Sequence, residues 1–169
     1  MGIYRDISLV STESAVVSFI TPQVMLDEQK NWSVKVAAYL QCKRNTKGRV
    51  TASVEEIVSE SVMVDCLKDG EHRVDVTLSV PSTAVKRWYP VGYGDHPTYE
   101  LRVIFDGKEQ DMKSVRIGFR TADLIREKIG DDEESMFFRI NDIDVFIRGS
   151  NFIPMDVFES RMTEDDIDM

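Results

Sequence analysis

Through most of the first 120 residues, apolar and polar side chains alternate with a period of two. In the run from Trp32 to Cys42, one face carries Val34, Val36, Ala38, Leu40 and Cys42. Successive side chains of a strand point to opposite faces, so this spacing predicts a half-apolar strand. Asn45 to Gly48 supplies a turn signal, and Val50, Ala52 and Val54 then define the next strand. The pattern returns at Val74, Val76, Leu78 and Val80, ending at Pro81. It returns again at Tyr99, Leu101, Val103 and Phe105, before Asp106-Gly107. Val115, Ile117 and Phe119 answer across that turn as a hairpin partner. Ile7 with Leu9, Val17 with Phe19, and Val62 with Val64 are weaker strand candidates.

These add up to about seven or eight short strands, each needing a second apolar surface over its inner face. No amphipathic helix of useful length precedes residue 120, so two antiparallel sheets must cover each other. The expected fold is all-β, an immunoglobulin-like antiparallel sandwich, with a closed barrel as the alternative. The disulfide pattern of antibody domains is missing. Cys42 and Cys66 lie in alternating apolar patterns and read as two small buried thiols, a disulfide between them being the alternative.

The charge pattern changes late in the chain. Residues 1–130 hold 18 acidic and 18 basic side chains, whereas residues 131–169 hold 12 and 3, so the whole net charge of −9 follows Gly130. The run Asp131-Asp132-Glu133-Glu134 marks a boundary between two kinds of segment. Beyond it, Phe138 and Ile140, then Val145 and Ile147, flank Asn141 to Asp144 as a short hairpin. Arg148 to Pro154 follows as a loop. Thr163-Glu164-Asp165-Asp166 has the form of a capping box, with Thr163 accepting from a backbone N–H and Asp166 returning the bond. Only three residues follow it, too few for a stable helix, which suggests that a further domain begins there; a frayed acidic tail is the alternative.

Candidate chemistry is sparse. A pI near 4.8 is the wrong sign for gripping phosphate backbones, and no apolar run approaches ~18 residues, so nucleic acid and membrane are excluded as expected partners. Asn31-Trp32-Ser33 is a sequon, making Asn31 a possible N-glycosylation site. The stretch from Lys86 to Tyr99 gathers Trp88, Tyr89, Tyr93 and Asp95 with glycines and prolines. It reads as a structural or interdomain loop, with sugar stacking as the alternative. His72 and His96 have no local spacing that identifies a metal pair, and the carboxylates 131–134 read as solvated charge. No nucleophile elbow, phosphate loop or calcium loop is present, so no metal or cofactor is expected.

Four ordered segments carry a family resemblance: Gly2-Ile3-Tyr4-Arg5-Asp6; Arg87-Trp88-Tyr89-Pro90 with Gly92-Tyr93-Gly94-Asp95; Ile117-Gly118-Phe119-Arg120-Thr121; and Phe138-Arg139-Ile140-Asn141 with the run from Phe146 to Pro154. With these, the chain resembles the middle portion of beta-mannosidases, within the glycoside hydrolase family 2 enzymes that include beta-galactosidases and beta-glucuronidases. The resemblance implies an immunoglobulin-like sandwich over residues 1–121, of which 1–7 close the preceding linker. An acidic linker would follow over 122–135, then the lead-in hairpin and first strand of a truncated catalytic TIM barrel over 136–169. It implies a retaining parent that removes terminal beta-D-mannose from beta-mannosides or N-glycan-derived oligosaccharides, its two catalytic glutamates lying outside these residues. The chain itself would be a non-catalytic scaffold whose partners are the parent's other domains. Arg148, Asn151 and Phe152 would stand nearest the active-site rim, Phe152 in place of the family's usual Trp and so without the indole N–H donor. Animal members imply a lysosomal parent. A parent with another sugar specificity and a freestanding carbohydrate-binding or protein-interaction module are the alternatives.

Overall fold

The computed structural model describes residue 7 and residues 9–131, 133–158 and 161–167. The motif at residues 2–6, Asp132 of the acidic run and the last two residues lie outside the described residues. Seven strands form the first unit: β1 (Ala15–Leu26), β2 (Trp32–Cys42), β3 (Thr46–Val54), β4 (Val58–Cys66), β5 (Gly70–Val80), β6 (Tyr99–Asp106) and β7 (Gln110–Ile117). They make two antiparallel sheets, β1-β2-β5 and β4-β3-β6-β7, which is the strand partition of an immunoglobulin-like sandwich. The all-β expectation is borne out.

The alternating residues of the sequence form the core. Trp32, Val34, Val36, Ala38 and Leu40 of β2, with Val76, Leu78 and Val80 of β5, face Val50, Ala52, Val54, Leu101, Val103 and Phe105 of the other sheet, all buried. Each Val, Leu and Phe among them contributes about 1.5–3 kcal/mol by leaving water. Phe119, fully buried, closes one end, 5.6 Å from the Trp32 ring and edge-on to Tyr99 at 5.3 Å.

Several expectations are corrected. The turn before β3 is at Arg44–Asn45, with Asn45 at φ 61°, and Gly48 lies within the strand. Glycine is needed there for close approach: a Cβ would come within 2.6 Å of the Phe105 ring and 2.7 Å of the Asp106 carbonyl. Ile7 and Leu9 are exposed and form no strand. Val17 and Phe19 do not share a face, because a bulge between them flips the register, leaving Val17 4% and Phe19 44% exposed. The backbone groups freed by the bulge are taken up by β7: the Val17 N–H donates to the Asp111 carboxylate at 2.7 Å, and the Lys113 ammonium donates to the Val17 and Ser18 carbonyls.

The cysteines are not separate thiols. Cys42 at the end of β2 and Cys66 at the end of β4 are joined as a disulfide with Cα atoms 6.3 Å apart. The bond ties one sheet to the other. Closing a loop with a sequence separation of 24 is worth about 3 kcal/mol on the chain-entropy account.

The stretch 122–135, expected as an acidic linker, holds β8 (Ala122–Lys128) and the start of β9 (Glu134–Ile140). With β10 (Ile143–Val145) they form a third antiparallel sheet in the order β10-β9-β8. The β9–β10 hairpin turns on two residues, Asn141 and Asp142, at φ 50° and 68°, as the twist of a tight hairpin requires. Ile147 lies beyond it. The capping box also differs from expectation. The Asp166 carboxylate accepts from the Thr163 N–H at 2.8 Å, but the Thr163 hydroxyl donates to that same carboxylate at 2.7 Å instead of accepting a backbone bond. It starts a one-turn helix, α1 (Glu164–Ile167).

Leu78→Ala should lower the unfolding free energy by about 2–5 kcal/mol in urea denaturation, whereas Met63→Ala on the outer face of β4, opposite Arg49, should cost about 0.5 kcal/mol or less. Equal losses at the two sites would contradict the assignment of the core.

Candidate functional site

The conspicuous loop from Lys86 to Thr98 leaves β5 through a short 3₁₀ turn (Ser82–Ala84) and returns at β6. Its path is fixed by backbone bonds: the Trp88 N–H donates to the Phe119 carbonyl at 2.9 Å, Tyr89 to Asp95 at 2.9 Å and Tyr93 to Pro90 at 3.0 Å. Arg87 also forms a parallel bridge with Phe119. The half-buried Trp88 ring has the Arg120 guanidinium 4.5 Å over it, His96 tilted against it at 5.7 Å, and Gly118 so close that a Cβ there would lie 3.3 Å away. Gly94 is held at φ 156° against the Tyr89 ring, where a Cβ would meet carbon at 3.1 Å. The aromatics thus fold back on the loop itself, with Tyr93 and Asp95 exposed at its outer side.

The residue that joins this loop to the third sheet is Asn141, only 4% exposed at the hairpin tip. Its side-chain N–H donates to the Trp88 carbonyl at 2.9 Å, and its side-chain oxygen accepts from the Thr121 N–H at 3.1 Å. Its own N–H donates to the Thr121 carbonyl and hydroxyl, each at 3.2 Å. The side-chain amide therefore satisfies backbone groups from the loop and from the sandwich exit, while Thr121 in turn satisfies the hairpin's N–H, which accounts for the burial of Asn141. Beside it, Arg87 reaches Asp142 at 3.4 Å. The sequence marks Asn141 as a turn residue and as the end of a resemblance segment; that its side chain faces inward depends on the packing of three separate segments.

Arg148, Asn151 and Phe152 lie in the irregular segment after β10, all exposed, Phe152 to 71%. Around them Phe146, Ile153, Val157 and Phe158 are also exposed, as are Leu124 and Met136 on β8 and β9. Asn31 is half-buried in the β1–β2 turn, where its N–H donates to the Asp27 carboxylate at 2.7 Å.

Among the described residues, the carboxylates with shifted proton affinity all move in one direction. Arg139 holds Asp144 below its ordinary range, Arg161 does so for Asp156, and the N–H of Thr163 does so for Asp166. A hydrogen bond from Ser114, then one from Arg102, lowers Glu100, and the Thr12 hydroxyl lowers Glu109. A proton-donating acid needs the opposite shift. A groove of about 310 Å³ crosses the outer face of β1-β2-β5, lined by Thr21, Gln23, Lys35, Arg73, Asp75 and Thr77. Sequence patterning missed it because its residues are scattered polar positions on three strands.

No family model matches the chain. It is 27% identical to the beta-mannosidase of Mus musculus over 97% of its length and 30% identical to beta-mannosidase B of Thermothelomyces thermophilus over 96%. It is 33% identical to beta-mannosidase B of Aspergillus flavus over 92%. It spans about a fifth of those relatives, from 18% to 20% of their length. Among solved structures, it resembles beta-D-mannosidase from Dictyoglomus thermophilum with a TM-score of 0.73, at 24% identity over 90% of this chain and 19% of that one. The exo-chitosanase of Amycolatopsis orientalis gives 0.64, at 17% identity over 83% and 16%.

Asn141→Ala should cost about 1–3 kcal/mol, because the Trp88 carbonyl and Thr121 N–H lose a buried partner. Asn141→Asp, which keeps the acceptor and tolerates positive φ, should retain hydrogen-exchange protection at Thr121 and leave the Trp88 carbonyl without its donor. A second expectation concerns pH. The lowered Asp144 affinity stabilises the hairpin above the ordinary aspartate range, and that contribution is lost as pH falls through the depressed value. Exchange protection across β9 and β10 should weaken in that acidic window, and Asp144→Asn should remove this dependence.

The likeness to beta-mannosidases read from the sequence is borne out: over nearly its whole length this chain is similar to one segment of mammalian and fungal proteins of that name, and it shares the sandwich fold of a solved beta-D-mannosidase.

Proposed function

We propose that these residues are a non-catalytic scaffold of a glycoside hydrolase family 2 parent, a beta-mannosidase that releases terminal beta-D-mannose with retention of configuration. The observation that carries this reading is the match of 96–97% of the chain to about a fifth of beta-mannosidases, which leaves most of such a protein to supply the chemistry. Retaining glycosidases need two carboxyl groups about 5–5.5 Å apart, one acting as acid and base and the other as nucleophile. In this reading both belong to the parent's barrel.

The same reading gives roles to the predicted residues. Residues up to 121 form the middle sandwich, and the hairpin from about 136 leads into the barrel. Trp88 and Tyr89 form the packed part of the connecting loop, and Tyr93 and Asp95 its outer, exposed side. The exposed apolar side chains of 146–158 are those the barrel covers. Arg148, Asn151 and Phe152 then lie near the active-site rim, where Asn151 can hydrogen-bond a sugar hydroxyl and Phe152 can stack without donating a bond. A lysosomal compartment and a glycan on Asn31 belong to the same proposal and rest on resemblance to animal members of the family. The fold does not select the sugar, since it is shared with an exo-chitosanase and, at a TM-score of 0.55, with a family 2 beta-galacturonidase, so choosing mannose depends on the sequence relatives.

The isolated chain should show no hydrolysis of an aryl beta-mannoside, while the full-length parent should prefer that substrate over aryl galactosides, glucuronides and glucosaminides. Turnover by the pure chain, or mannoside ranking last for the parent, would overturn the proposal. The isolated chain should also self-associate with rising concentration in sedimentation runs. Replacing Phe146 and Phe158 by Ser should reduce that association, since it removes exposed apolar area.

A further inference from the structure

The disulfide has a neighbour whose presence closure of the sheets does not require. A ring nitrogen of His72 and the sulfurs of Cys42 and Cys66 lie within 4.8 Å of one another. His72 occupies an inward-facing position of β5, in register with Leu40, two residues from the Gly70 that pairs with Cys42. Its Nε2 lies 3.0 Å from the Lys68 carbonyl. A carbonyl can only accept, so Nε2 carries the hydrogen and the neutral ring keeps its lone pair on Nδ1. A backbone carbonyl that fixes the tautomer in this way is the usual outer partner of a metal-binding histidine.

The three groups are held together by more than the sulfur–sulfur bond. Cys42 is fixed by its register with Ala15 and Gly70, and Cys66 by its register with Thr46. Thr46 in turn donates to the Ser14 carbonyl at 3.1 Å, and the Lys43 N–H donates to that same carbonyl at 2.8 Å. The backbone around both cysteines is thus tied to β1, β2, β3 and β5 without the disulfide. Tetrahedral zinc, with bonds of about 2.3 Å to sulfur and 2.0–2.1 Å to nitrogen, needs ligand atoms about 3.5–3.8 Å apart. Reduced sulfurs reach that separation by small rotations about their Cα–Cβ bonds.

We propose that, in a reducing environment, the thiolates of Cys42 and Cys66 and the imidazole of His72 bind one zinc-class divalent cation. The junction between the sheets is then closed by metal when the thiols are reduced and by the disulfide when they are oxidised. Two thiolates and one imidazole form a soft donor set suited to zinc, and the half-buried side of His72 leaves a fourth position for water. Exchange with an oxidised dithiol protein links the two states. One cysteine sulfur attacks the partner's disulfide, and the other displaces the partner from the mixed disulfide. The partner takes two electrons from the two thiolates and two protons from water and leaves as the dithiol, and the cation is released.

To test this, the full chain is kept reduced with a phosphine, freed of metal under anaerobic conditions and titrated with Co²⁺. Thiolate-to-cobalt charge-transfer absorption should rise to saturation at one equivalent and be displaced by Zn²⁺, and Zn²⁺ should raise the Tm. The oxidised chain should show neither effect. His72→Ala, at a half-exposed position that the fold tolerates, should weaken Co²⁺ binding roughly tenfold or more, and Cys66→Ser should abolish the charge-transfer bands. If the reduced chain loses its structure, added Zn²⁺ should restore it, because metal binding and folding are coupled. Absence of charge-transfer bands and of any Zn²⁺-dependent gain in structure or Tm, or a His72→Ala titration matching the wild type, overturns the site.

Discussion

The strands that build the core are apolar on one side, and each such side must be kept from water. Over residues 15–119 the two sheets meet that need for each other: Leu40 and Leu78 of one face Leu101 and Phe105 of the other, and Phe119 seals an open end. Over residues 122–158 the need is left unmet. The third sheet pairs its backbone as well as the others do, yet Leu124, Met136 and the apolar residues that follow β10 stay in contact with solvent. The same physical rule makes the first unit a self-sufficient sandwich and makes the second a surface suited to something larger.

The two units are joined by polar groups, not by shared core. Asn141 satisfies the backbone of Trp88 and of Thr121 at once, and the loop that carries Trp88 is itself pinned to Phe119. A buried amide with all its partners in place fixes orientation, since any other placement leaves N–H or C=O groups unpaired. The opposite problem, holding two sheets at one separation, is solved at the far ends of β2 and β4 by sulfur. Between them these two devices set how the sandwich presents the hairpin and the tail beyond it.

Electrostatics agree with a scaffold reading. The shifted carboxylates are paired with arginine or with hydrogen-bond donors and are held ionised. The sandwich itself says little about sugar chemistry, because solved enzymes named for different sugars share it. The narrower assignment comes from sequence likeness to beta-mannosidases.

Period-two patterning was enough to reveal the strands that supply the core, because a strand buried on one side must alternate: β2, β5 and β6 were legible residue by residue, and β3 from Val50 onward. Patterning failed where the deciding contact is distant. The bulge after Val17 is stabilised by Asp111 and Lys113 nearly a hundred positions away, so Phe19 looked like a core residue and is not. β8 carries charge on both faces and becomes a strand only because β9 pairs with it. Cys42, Cys66 and His72 are unremarkable as spacings, and only the crossing between sheets brings them within reach of one another. Local sequence determined which residues seek burial, whereas the tertiary structure decided which polar groups meet, since such meetings depend on pairings between strands far apart in the chain.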